Sequence, residues 1–134
     1  MEKTDLSVIS TPEAAVAATI HLKGLDHEEV WLVYLTSAGG FITSEMVSKG
    51  TLSQTSIDCR TILRQALLNN AAGIIILHNH PSGNPLPSPA DIRFTQRLRK
   101  ACSIMEIGLL DHIIVAEKGF YSFAEEKTYG KKLD

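Results

Sequence analysis

Apolar positions along the chain fall into short strand-like runs separated by stretches with helical spacing. Glu29-Val-Trp-Leu-Val-Tyr-Leu35 reads as a strand, Ser37-Ala-Gly-Gly40 turns it, and Phe41 to Val47 returns as a second strand before Lys49-Gly50 breaks it. Gly73 to His78 is a continuous apolar run, the kind buried on both faces of a sheet. Leu109 to Ala116 is a further strand, Glu117-Lys-Gly119 its turn, and Phe120 to Phe123 a brief return. Helices fill the intervals. Thr11 caps one that carries Pro12 in its first turn and stops at Gly24. Thr55 and Asp58 look like the capping pair of a second, running to about Asn69. Ser88-Pro89 opens a third, to about Met105, with Ile92, Thr95, Leu98, Cys102 and Met105 as its inward stripe. The charged tail from Glu125 reads as fraying. Strands alternating with helices after one early hairpin predict a three-layer α/β domain, a mixed sheet flanked by helices.

Composition narrows this little. At 134 residues and 44% apolar content the chain suits one domain with one ordinary core, and neither repeats nor a low-complexity linker divide it. Its longest apolar run falls far short of a membrane helix, and no charged-then-apolar leader opens it, so the expectation is a cytoplasmic protein without a membrane partner. Cys59 and Cys102 lack metal-pair spacing and read as reduced thiols. A net charge of −2 argues against a general nucleic-acid binder.

The chemistry concentrates in His78-Asn-His80-Pro-Ser-Gly-Asn-Pro-Leu-Pro-Ser88-Pro-Ala-Asp91. At a strand end, residues i and i+2 point to one side, so His78 and His80 can aim at one point while Asn79 points away. Glycine and three prolines then force a turn. Ser88 would be the helix N-cap and Asp91 the third helical residue, swung back over the strand end. Two imidazoles and a carboxylate suit an open zinc site with a fourth position for water. Such a site also needs a base that is not a ligand. Glu45 is one choice, but spacing alone does not favour it over Glu13, Glu28 or Glu29.

Glu45, His78-x-His80, seven residues, Ser88, two residues and Asp91 together resemble the JAMM signature of MPN/JAB metalloproteins. Gly50-Thr51, Gln54-Thr55, Asn70-Ala-Ala72, His78 to Gly83, Pro87-Ser88 and Asp111-His112-Ile-Ile114 make the chain most similar to the RadC (UPF0758) family, from about Val8 to the end. The resemblance implies a three-layer MPN/JAB, cytidine-deaminase-like domain. It also implies one zinc ion per chain held by His78, His80 and Asp91, Glu45 as the base, and Ser88 as a stabiliser of the oxyanion. A zinc metallopeptidase acting on a peptide or protein follows as the leading expectation. RadC proteins usually carry a helix-hairpin-helix-like segment before this domain. Only a few residues precede it here, so the chain reads as a single domain, core about 8–124: a short member or an excised domain.

Blander readings stand beside these. Ser88-x-x-Asp91 alone would be a helix cap, and Ser88 can serve both purposes. Asp111 and His112 could orient a ligand from behind, though a structural hydrogen-bond pair is the preferred reading. His21 and His27 read as surface residues and Asp58 as a cap. Cys59, at a helix start, reads as inert rather than activated. Asn79 and Ser82 could meet substrate or merely hold the turn. Arg93, Arg97, Arg99 and Lys100 read as a solvated face, yet they are the support for an alternative: a DNA-repair-associated nucleic-acid or protein interaction module with a structural zinc. A zinc deaminase is set aside because its Pro-Cys-x-x-Cys ligands are absent. Phe41 to Val47 offers an edge on which an extended peptide, or a second copy in a homo-oligomer, could pair.

Overall fold

A computed structural model describes residues 8–50, 52 and 57–130. Among them run α1 (Pro12–Ala18), a 3-10 turn (Ile20–Gly24), β1 (Glu29–Leu35), β2 (Phe41–Lys49), α2 (Cys59–Leu68), β3 (Gly73–Asn79), α3 (Pro89–Ile104), β4 (Gly108–Ala116), β5 (Gly119–Ser122) and β6 (Lys127–Gly130). The strands form one sheet in the order β2-β1-β3-β4-β5-β6. Only β3 and β4 pair in parallel, joined through α3; the other neighbours are antiparallel. The mixed sheet between helical layers is the predicted architecture.

Alternation along the central strands feeds a core on each face. Val30, Leu32, Tyr34, Ile74 and Ile76 pack with Ile62 and Ala66 of α2 and Phe94, Leu98 and Cys102 of α3. Val33, Leu35, Ile75, Leu77, Ile113 and Val115 pack on the other face with Ala15, Val16 and Leu22. Every residue of β3 is buried, as its unbroken apolar run requires. This rigid central strand ends at the two histidines.

The ends of α2 and α3 repeat one device. Asn70 (φ 52) and Glu106 (φ 58) take the left-handed conformation just past each helix. The following amides, of Ala71 and Ile107, return to the carbonyls of Ala66 and Cys102 at 2.9 Å. Each helix thereby turns into one of the two parallel strands, which start in register at Gly73 and Gly108.

Several expectations need correction. The helix from Thr11 is α-helical only to Ala18; Thr19 turns its hydroxyl back to the Ala15 carbonyl, and the chain continues to Gly24 as 3-10. Asp58 itself is the N-cap of α2, accepting the Thr61 amide; Thr55, the other half of the expected pair, lies outside the described residues. The inward stripe of α3 is Asp91, Phe94, Thr95, Leu98 and Cys102, while Ile92 and Met105 are exposed. Residues 127–130 do not fray: they pair with β5, and Tyr129 stacks on Phe120 with centroids 4.9 Å apart. Gly119 allows this approach, because a Cβ there would collide with the Tyr129 carbonyl.

Candidate metal centre

The site forms where β3 ends and α3 begins. His78 leaves the strand fully buried, and His80 follows half-buried. The Ser88 hydroxyl accepts the Asp91 amide at 3.0 Å, and the Asp91 carboxylate accepts the Ser88 amide at 2.8 Å. This capping box holds the carboxylate at the helix mouth, facing the histidines. A hydroxyl that accepts one hydrogen bond still has its own proton to donate.

His78 Nε2 and His80 Nε2 lie 3.2 Å apart. His78 Nε2 is 3.4 Å from Asp91 Oδ1, and His80 Nε2 is 3.2 Å from Asp91 Oδ2. Zinc–ligand bonds of about 2.0–2.1 Å in a tetrahedron leave roughly 3.3–3.4 Å between ligand atoms. The two imidazole nitrogens, and each nitrogen with one of the Asp91 oxygens, therefore lie at about the separation of neighbouring zinc ligands. His80 Nδ1 lies 2.8 Å from the Asn84 carbonyl, which can only accept, so His80 carries its proton on Nδ1 and turns Nε2 inward. The proline-rich loop thus sets the tautomer of His80. His78, His80 and Asp91 are a group that could hold a metal ion.

The electrostatics agree with a cation-seeking site. Burial pushes the Asp91 carboxyl up, but hydrogen bonds with His78 and His80 outweigh it and hold the group far below the usual carboxylate range. The Asp91 hydrogen bond raises the pKa of His80 despite its burial. A proton on the imidazole nitrogens facing Asp91, or a metal ion in its place, supplies the positive charge that this point calls for.

Glu45 sits opposite Leu32 on β2, and His78 sits opposite Val30 on the other side of β1. Leu32 and Val30 face the same way, so Glu45 and His78 lie on the α2/α3 face, two strands apart. Among the described residues, Glu45 Oε2 accepts hydrogen bonds from the Tyr34 hydroxyl at 2.5 Å and from Gln65 Nε2 at 2.7 Å. These two donors fix the carboxylate on the sheet. Of the other glutamates weighed, Glu29 binds His27 and the Trp31 indole and Glu13 is exposed on α1, whereas Glu28 is half-buried and its charge helps to raise the pKa of His80.

His112 stands closer to the site than the sequence reading preferred. Its Nε2 lies 2.9 Å from His78 Nδ1 and its Nδ1 lies 2.5 Å from the Thr95 hydroxyl. Phe123 lies flat against the ring, centroids 4.5 Å apart at 7°. Burial holds His112 well below the ordinary imidazole pKa, hence neutral. Asp111 keeps the structural role: it accepts the amides of His112 and Ala124 and the Ser122 hydroxyl. Thr95 was read as core packing, and only its place four residues after Asp91 hinted otherwise. Asn79 points away from the site, accepting the Glu29 amide and donating to the His27 carbonyl, which ties the start of β1 to the end of β3. Ser82 holds the turn against the Asn84 amide. His21 is exposed beside Glu29, Cys59 and Cys102 are free thiols, and burial pushes Cys102 up to about 11. The arginines and Lys100 of α3 are exposed.

Residues 9–128 match the family described as RadC-like JAB domain. The chain is 38% identical over 125 residues to a UPF0758 protein of Enterococcus faecalis, covering 93% of this chain and 54% of that protein. It is 38% identical over 125 residues to the UPF0758 protein YfjY of Escherichia coli, covering 93% and 78%. It is 42% identical over 106 residues to a UPF0758 protein of Porphyromonas gingivalis, covering 78% and 47%. The chain thus spans about half the length of two of these relatives. Among the described residues no helix is long and apolar enough to cross a membrane.

Proposed function

The chain belongs to the RadC-like JAB domain family, and on that premise we propose that it is a zinc-dependent hydrolase of amide bonds in peptides or proteins. The observation that carries this reading is the convergence of two imidazole Nε2 atoms and one carboxylate, each nitrogen 3.2–3.4 Å from the other nitrogen or from a carboxylate oxygen. His78, His80 and Asp91 would hold the ion, one per chain. When bound, zinc lowers the pKa of water from about 15.7 towards ~7 and polarises a carbonyl. Glu45 takes the proton of the attacking water and returns it to the leaving amine. Its Cα stands roughly 12 Å from that of His78, two strand spacings across the sheet and two residues along it, and both side chains rise from one face. That gap suits a water and a scissile carbonyl between them. The Ser88 hydroxyl donates to the oxyanion as it forms.

Zinc-loaded protein should be screened against peptides and against isopeptides joining a carboxyl terminus to a lysine side chain. Glu45→Gln should keep its zinc and lose cleavage by roughly 10²- to 10⁴-fold. Cleavage at the parent rate by that variant would remove Glu45 from the mechanism.

The exposed row of Arg93, Arg97, Arg99 and Lys100 favours a second reading, an interaction module that contacts phosphates. The net charge of −2 counts against it. Salt-dependent DNA binding abolished by charge reversal at Arg97 and Arg99 would support it.

A further inference from the structure

We infer that His112 and Thr95 are positioning residues that fix the tautomer of His78, through a hydrogen-bond chain anchored on the backbone of Asp91. The inference rests on the metal-site reading above and adds a second tier to it. The direction of the chain can be worked out from its far end. The Thr95 hydroxyl donates to the Asp91 carbonyl, one helical turn back, at 2.8 Å. Its single proton is thereby committed, and the Thr95 oxygen can only accept from the ring nitrogen 2.5 Å away. His112 must then carry its proton on Nδ1. A neutral imidazole has one N–H, which leaves His112 Nε2 bare. That bare nitrogen lies 2.9 Å from His78 Nδ1 and accepts a hydrogen bond from it. With its Nδ1 proton held by His112, His78 can ligate a metal only through Nε2, and Nε2 is the atom that faces His80 and Asp91.

Asp91 therefore acts twice. Its carboxylate meets the metal point directly, and its carbonyl sets the polarity that presents His78 to the same point. The two histidine ligands reach the same tautomer by different means: His80 through the exposed loop carbonyl of Asn84, His78 through three buried groups. Phe123, stacked on His112, keeps its ring from turning. The buried route matters because His78 is wholly enclosed, so water cannot choose its tautomer.

The test uses the full chain labelled with ¹⁵N and freed of metal, at mildly alkaline pH. Two-bond proton–nitrogen correlations report which nitrogen of each ring is protonated. His112 should show N–H at Nδ1 and a bare Nε2, and His78 should show N–H at Nδ1. Thr95→Val, which keeps the shape and removes the hydroxyl, should leave His112 in mixed tautomers; Thr95→Ser should restore the parent pattern. Zinc affinity, measured by competition with a chelator, should drop roughly 10- to 100-fold in His112→Phe and Thr95→Val and recover in Thr95→Ser. His112 protonated at Nε2 in the parent chain would overturn the inference. So would a Thr95→Val protein with unchanged tautomers and unchanged zinc affinity, while leaving the metal site intact. A parent chain that binds no zinc would sink the hydrolase reading instead, and the metal-free spectra would still decide the tautomer.

Discussion

At Asp91 one residue caps a helix, faces two histidines and accepts a threonine hydroxyl on its carbonyl. Ser88 shares the first task, and the oxyanion role proposed for its hydroxyl can be separated from capping by substitution. Glycine is nearly as good an N-cap as serine, costing only a few tenths of a kcal/mol. Ser88→Gly should therefore fold almost normally yet lose turnover by roughly 10²-fold if the hydroxyl meets the oxyanion. Equal turnover with equal melting temperature would reduce Ser88 to a cap. Asp111 gives a pH-linked prediction. Its burial raises the carboxyl pKa above the ordinary value, although hydrogen bonds from Ser122 and Ala124 act the other way. The folded state thus holds the proton more tightly than the unfolded state. Its contribution to stability is greatest below the ordinary carboxyl pKa and declines as pH rises through the folded value. Asp111→Asn keeps an oxygen for the two backbone amides and carries no charge to bury. Melting temperatures followed against pH should show the variant gaining on the parent as pH rises; a gain confined to acid pH would contradict this sign.

At the scale of elements, the two helix ends offer a stability test. Glu106 holds a left-handed conformation that costs an ordinary residue about 1 kcal/mol or more and glycine little. Glu106→Gly should raise stability by about 0.5–1 kcal/mol in denaturant unfolding; a loss would mean the side chain contributes more than its strain. Elements with strong periodicity were legible in the sequence. β1 ran from Glu29 to Leu35 as read, and β3 and β4 each came within a residue of the reading. β6 was not legible, since its side chains mostly face water and carry no apolar alternation; the pairing arises from close backbone approach at Gly119. On α3 the middle of the inward stripe, Thr95, Leu98 and Cys102, is as expected, and its first turn is off by one position for a physical reason. A sequence reading of amphipathicity places carboxylates outside, but Asp91 is turned inward to meet the histidines, and Ile92 is left exposed. The convergence of His78, His80 and Asp91 was legible from strand and cap geometry. Glu45 needed the family resemblance, because only the sheet register sets its distance. The His112–Thr95 chain depends on the parallel pairing of β3 with β4, which no local pattern announces.

Across the whole molecule, the sheet carries a core on each face, and the site sits where buried β3 meets α3. The fold forms the ligand cluster from elements already held by packing, so binding should add stability and not create the fold. At a free zinc concentration of 100 times Kd the gain is about 2.7 kcal/mol. For a domain of this size that lifts the melting temperature by roughly 5–10 °C. A chain that stays unfolded until zinc is added would contradict a preformed site. The central claim is that His78, His80 and Asp91 hold zinc, and metal content tests it most directly. Protein purified without added metal should be analysed for bound elements beside His80→Ala. One zinc per chain, lost in the variant with the fold retained, is the predicted result. No metal in the parent even after zinc is supplied, or equal zinc in the variant, would contradict it.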